Sequence, residues 1–129
     1  MDTTILDRNI DVIERGYEHL LAFAAQGRRD DASTDVRATL ESMHVALAEL
    51  EQKFSSIAAA RYGGSAPAYD DTEFLAAAAS DARRARGAIA HVLNSSGISS
   101  MLVDNLNASV HLRTLLTDLF LVDQAKRRD

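Results

Sequence analysis

Apolar residues recur at alternating steps of four and three in four stretches of the chain, a spacing that places them on one stripe of an α-helix. The clearest stretch is Val36, Leu40, Met43, Leu47, Leu50, Phe54 and Ile57. The others are Leu6, Ile10, Ile13, Tyr17, Leu20 and Ala24; Leu75, Ala78, Ala82, Ala85, Ile89 and Val92; and Met101, Asn105, Ala108, Leu112, Leu115, Leu119 and Val122. Four such helices bury their stripes most economically against each other. We therefore predict an all-α fold, an antiparallel up-down four-helix bundle formed by one domain of residues 1–129.

Capping and helix-breaking residues set the expected helix boundaries. The predicted helices span about residues 4–25, 33–60, 71–93 and 99–125. Gly27 ends the first helix, because glycine adopts the left-handed geometry of a helix C-terminus without a steric penalty. In the fourth helix Asn105 falls on the apolar stripe, where a buried amide would fix the register of packing at a cost in stability.

The segment Tyr62–Tyr69 is the connection with the strongest breaker chemistry. It contains two glycines and the only proline of the chain, so neither a helix nor a strand is expected there. Two functions remain open for it. The segment is either a plain connection between helices or a recognition loop carrying two tyrosines at one end of the bundle.

Composition and charge narrow the classes of function. The chain has 129 residues, 47% of them apolar, with no cysteine and a net charge of −5. The absence of cysteine excludes disulfides, thiolate catalysis and cysteine-based zinc sites. A net negative charge argues against binding to duplex nucleic acid. With no basic leader at the N-terminus and no long apolar run, we expect a cytoplasmic protein that does not enter membranes.

The second half of helix 4 carries more apolar surface than one packing stripe needs. Leu116 and Phe120 lie at the edge of the predicted stripe, and Leu121 lies off it. A wide stripe is typical either of a helix at the centre of a bundle or of a helix that meets a partner. We predict that Leu116, Phe120 and Leu121 bind a protein partner or a second copy of the chain in a homodimer.

Metal chemistry has little support in the sequence. Glu41 and His44 form one Glu-x-x-His motif, whereas a di-iron bundle needs two such motifs and two further glutamates. The remaining histidines, His19, His91 and His111, belong to no cluster with metal-ligand spacing. We therefore expect no metal and no cofactor.

Arg86 and His91 give the first enzymatic alternative. Their Arg-x4-His spacing resembles the signature of the HEPN ribonucleases, which are small all-α domains that usually dimerise. The resemblance implies that Arg86 would stabilise the charge of an RNA phosphodiester and that His91 would act as general acid or base. The residue after the arginine is Gly87, where that family usually has a polar residue.

His91 also gives a second alternative. The segment His91–Gly97 is similar to the His-x-Leu-Lys-Gly segment of histidine phosphotransfer domains, which are four-helix bundles with one exposed, phosphorylated histidine. The resemblance implies that His91 would accept a phosphoryl group. Asn94 and Ser95 replace the lysine and glycine of that pattern, which removes the cation beside the phosphoryl group.

A non-enzymatic binding protein is the function that the sequence favours. No cluster of residues has a credible catalytic arrangement, and helix 4 carries surplus apolar surface. The alanine-rich stripe of helix 3 would let a partner helix approach closely. The segment Leu20–Gly27, followed by one long helix, is loosely similar to small acidic bundles such as secretion and flagellar export chaperones. We predict an adaptor or export-chaperone-like protein that acts by stoichiometric contact.

Overall fold

The computed structural model describes residues 4–61 and 67–126, and it contains five α-helices in these ranges. They are α1 (Thr4–Ala24), α2 (Val36–Ala60), α3 (Thr72–Leu93), α4 (Ser100–Ala108) and α5 (Val110–Lys126). The described residues form no β-strand. The all-α prediction is therefore confirmed, and the predicted bounds of the first three helices agree with the observed ones to within a few residues.

The first two helices run antiparallel. Asn9 in α1 donates a hydrogen bond from Nδ2 to Oε1 of Glu49 in α2 at 2.9 Å. Further along α1 but earlier in α2, Nδ1 of His19 lies 2.7 Å from Oγ1 of Thr39. All seven stripe residues predicted for the second helix are buried in α2, as a constant helical phase over its length requires.

The contact between α2 and α3 is also antiparallel and combines apolar packing with ion pairs. At one end, Nε of Arg61 lies 2.9 Å from Oδ1 of Asp71. Nearer the middle of α3, Nη2 of Arg86 lies 3.0 Å from Oε1 of Glu51. The six predicted stripe residues of α3 are all buried, and its alanines leave room for the larger side chains of α2.

The predicted fourth helix is two helices, α4 and α5, because the chain is extended at Ser109. The backbone there has φ −65° and ψ 147°. The Ser109 hydroxyl donates to the carbonyl of Leu106 at 2.7 Å and accepts from the amide of Leu112 at 3.4 Å. One serine therefore ends α4 and begins α5, since a short hydroxyl side chain can replace helical hydrogen bonds. The prediction of a four-helix up-down bundle is not confirmed, because the described residues form five helices.

The break also changes which residues of α4 are buried. Met101 is 75% exposed, and Asn105 and Ala108 are exposed as well, so their predicted place on the stripe was wrong. The buried residues of α4 are Ser100, Val103, Leu106 and Asn107. After the break, Leu112, Leu115 and Leu119 are buried as predicted. The prediction failed for the residues before Ser109 because it assumed one continuous helix. Ser109 is not helical, so the apolar spacing of α5 does not extend into α4.

Arg37 joins the connections at one end of the helices. Its guanidinium donates to the carbonyls of Leu93 and Ser95, each at 3.0 Å, and to Oδ2 of Asp31 at 3.1 Å. Oδ1 of Asp31 accepts the amide of Ile98 at 2.8 Å. The hydrogen bond from Ile98, together with Arg37, holds the pKa of Asp31 below its usual value. Arg37 thereby caps the C-terminal end of α3, where backbone carbonyls lack helical donors.

Most of the segment Tyr62–Tyr69 lies outside the described residues, because the structure describes it only from Pro67 onwards. Pro67 and Ala68 are exposed, and Tyr69 is 88% exposed. The choice between a plain connection and a recognition loop therefore stays open.

Candidate interaction surface on α5

The three residues predicted to bind a partner have different environments in α5. Leu116 is only 5% exposed and belongs to the apolar core, so it offers little surface to another molecule. Phe120 and Leu121 are 47% and 57% exposed. Leu121 lies on the side of α5 opposite the buried leucines, whereas Phe120 lies at the edge of the buried stripe, one turn after Leu116.

Phe120 and Leu121 open onto two different grooves. Phe120 lines a groove of about 380 Å³ between α1 and α5. We call this the α1/α5 groove; it is lined by Glu14, Tyr17, Glu18, Leu116, Phe120, Asp123 and Gln124. Leu121 lines a mainly apolar pocket of about 330 Å³, together with Phe54 of α2 and Phe74 of α3. The exposed side of α5 is thus flanked by concave surfaces on both sides.

Two carboxyl groups meet where α3 contacts α5. Asp118 is 9% exposed, and its side chain lies beside that of Asp81, so a proton on one carboxyl relieves the repulsion between the two. Oδ2 of Asp118 is buried without a hydrogen-bond partner among the described residues. Burial raises the pKa of Asp118 to about 7, and the neighbouring carboxyl of Asp81 acts in the same direction. Arg84 approaches Asp81 only to 3.8 Å and is itself 60% exposed.

Arg86 and His91 do not converge on one site. The guanidinium of Arg86 is directed towards α2 by its ion pair with Glu51, whereas His91 is exposed in the last turn of α3. Residues five apart on a helix point in directions about 140° apart. The ribonuclease hypothesis, which needs both groups at one phosphodiester, stays a prediction, and so does the phosphotransfer hypothesis, for which His91 has the required exposure.

The other candidate ligands are dispersed. His19 contacts Thr39 in the interface of α1 and α2, His44 is half-buried, and His111 and Glu41 are exposed. Within residues 4–61 and 67–126, no group of three or more histidine and acidic side chains is arranged to hold a metal ion.

Sequence reasoning missed Asp81, Asp118 and Asn107. An aspartate within a helix normally indicates a solvated face, and nothing in the sequence near Asp118 shows that Asp81 lies against it. Asn107 is 7% exposed, and its amide nitrogen and oxygen have no hydrogen-bond partner among the described residues. The only available signal was its place one turn from buried Val103, which becomes visible once Ser109 is recognised as a helix boundary.

Comparison with known proteins gives no assignment: no protein-family model, no curated protein and no solved structure matches the chain. The helices within the described ranges are also too short or too polar to cross a lipid bilayer.

Proposed function

We propose that the protein acts by stoichiometric contact with another protein, through Phe120 and Leu121 on the exposed side of α5. The observation that carries the proposal is the exposure of these two large apolar side chains, one beside each of two grooves. Exposed apolar groups in concave surroundings are typical of binding surfaces. The same proposal includes an adaptor or export-chaperone-like role in the cytoplasm. It also includes an up-down bundle in which α4 and α5 together replace the fourth helix.

The exposed apolar area of Phe120 and Leu121 is large enough to contribute to the free energy of binding. A phenylalanine has roughly 200 Å² of surface, so the exposed part of Phe120 corresponds to about 100 Å², and Leu121 adds a similar area. At about 25 cal/mol per Å², burial of both would contribute about 5 kcal/mol before the entropic costs of association. This contribution can be the centre of an interface but needs surrounding contacts to give tight binding.

The test is the double variant Phe120→Asp with Leu121→Asp, matched to Val45→Asp with Met101→Asp. The control residues are 59% and 75% exposed and lie on α2 and α4, so both variants add the same charge at apolar surface positions. The measurements are molar mass by light scattering and recovery of partners from extracts of the source organism. Circular dichroism of each variant checks that it keeps its fold.

We expect the α5 variant to lose self-association or partner recovery while the control variant keeps both. The proposal is wrong if the two variants behave alike, or if the unmodified protein is monomeric and recovers no partner under any condition tested. A loss seen only in the α5 variant, with helical content unchanged, supports the proposal.

A further inference from the structure

The α1/α5 groove combines an aromatic interior with acidic edges. Leu116 forms its base and is nearly inaccessible, Tyr17 is half-buried, and Phe120 is 47% exposed. A groove with one leucine and two aromatic rings can accept a slender apolar chain, because each ring offers a flat face for contact. This part of the groove therefore selects the shape of a ligand but not its charge.

The edges of the groove specify charge. Glu14 and Glu18 contribute carboxylates from α1, and Asp123, which is only 9% exposed, contributes one from α5. No lysine or arginine is among the residues that line it, and the whole chain has a net charge of −5. Glu14 and Asp123 also interact within the chain, so the exposed Glu18 is the carboxylate best suited to a test by substitution.

A ligand that covers Phe120 must also cover part of this acidic edge. A neutral or acidic ligand would remove water from the carboxylates without replacing it, which is unfavourable. A lysine or arginine side chain compensates for the lost water, because its apolar stem can lie along Phe120 and Tyr17 while its charge stays near Glu18. Arginine suits the site best, since its planar guanidinium stacks on aromatic rings and pairs with carboxylates.

We propose that the α1/α5 groove binds a basic segment of the partner protein, with an arginine or lysine side chain placed between Tyr17 and Phe120 and paired with Glu18. The proposal rests on the proposed function, because it takes Phe120 as part of the partner-binding surface. It adds the chemistry of the partner: a protein segment with apolar and cationic side chains on adjacent positions.

The experiment uses the whole protein and two synthetic, fluorescein-labelled helical peptides. Both peptides carry leucines on one face; one has arginines at the flanking positions and the other has glutamates there. Binding is measured by fluorescence anisotropy at low and moderate salt, and the contact surface is mapped from amide chemical shifts of the ¹⁵N-labelled protein. The variants are Glu18→Lys, Phe120→Ala and, as a matched charge reversal on the exposed surface of α2, Glu41→Lys.

We expect the arginine peptide to bind, to shift amide signals around Tyr17 and Phe120, and to bind more weakly as salt is added. Glu18→Lys should weaken binding at least about tenfold, which corresponds to about 1.4 kcal/mol. Phe120→Ala should also weaken binding, whereas Glu41→Lys should change it less than about twofold because screening reduces the effect of a distant charge.

Three results of the peptide measurements would overturn the inference: equal binding of both peptides, equal effects of Glu18→Lys and Glu41→Lys, or shifts that map away from the groove. A dimer that Glu18→Lys dissociates, without any peptide binding, would make a second copy the occupant and would also overturn it. The proposed function has a separate readout. If the Phe120→Asp and Leu121→Asp variant still loses its partner while Glu18→Lys keeps it, partner binding by α5 stands and only the basic chemistry is wrong.

Discussion

The carboxyl pair of Asp81 and Asp118 makes a specific prediction about stability and pH. In the unfolded chain Asp118 titrates near 3.8, whereas burial and the contact with Asp81 raise its pKa to about 7 in the folded protein. The folded state therefore binds the proton more tightly than the unfolded state does. The stability gained from this proton is fully present below about pH 4 and is lost as pH rises through about 7.

The difference in pKa sets the size of the effect. Each pKa unit corresponds to about 1.36 kcal/mol, so the complete shift would reduce the free energy of unfolding by about 4 kcal/mol between pH 4 and pH 8. Relaxation of the two side chains and entry of water lower this upper bound, and we expect a decrease of about 2 kcal/mol between pH 5 and pH 8. Asp118→Asn removes the titrating group and gives Asp81 an amide donor, so the variant should be more stable than the unmodified protein at about pH 8.

The assay is urea unfolding followed by circular dichroism at about pH 5 and about pH 8, in buffers of equal ionic strength. The control is Asp104→Asn, which makes the same change in charge at an exposed position of α4. The control should show the same decrease between the two pH values as the unmodified protein, and Asp118→Asn should show little of it. If Asp118→Asn loses as much stability as the unmodified protein over this range, Asp118 is not the group responsible and our account of the pair is wrong.

Two further predictions concern packing inside the helices. Gly16→Ala would place a Cβ 2.6 Å from Sδ of Met43, so we expect thermal unfolding to show a loss of stability of about 1–3 kcal/mol. In Gly87→Ala the new Cβ meets nothing within 4 Å, and this variant should gain about 0.5–1 kcal/mol of stability. Equal shifts in the two variants would contradict this prediction. Asn107→Leu removes two buried polar atoms that have no hydrogen-bond partner in the described part of the chain and should raise the free energy of urea unfolding by about 1–2 kcal/mol. Asn105→Leu, on the exposed side of the same helix, should change it by less than about 0.5 kcal/mol, and destabilisation by Asn107→Leu would contradict this reasoning.

The sequence was sufficient to predict the bounds of α1, α2 and α3, because the apolar spacing of each helix continues without interruption along its length. In α2 the apolar stripe from Val36 to Ile57 is buried throughout, so the spacing alone identified the packed face. The same reasoning failed for α4, because Ser109 is a common residue in helices and only its extended backbone shows that the phase is reset there. Because of this one non-helical residue, the buried asparagine of α4 is Asn107 and not Asn105 as predicted.

The candidate surface was predictable only in part, and for a related reason. The excess of apolar residues in α5 is visible in the sequence, but whether each one is buried depends on how α1 and α3 pack beside it. Leu116 and Phe120 are four residues apart and look alike in the sequence, yet Leu116 is 5% exposed and Phe120 is 47% exposed. The carboxylates beside Phe120 come largely from α1, so the acidic character of the groove could not be read from the sequence of α5.

The junction at Arg37 has a consequence for tracing distant homologues. Its guanidinium fork serves two carbonyls and one carboxylate at once, a geometry that lysine cannot reproduce with a single ammonium group. Loss of Asp31 alone would also leave the amide of Ile98 without its acceptor. The aspartate and the arginine six positions after it should therefore be inherited or replaced as a unit, and their joint presence in another sequence would be a marker of common ancestry where overall similarity has faded.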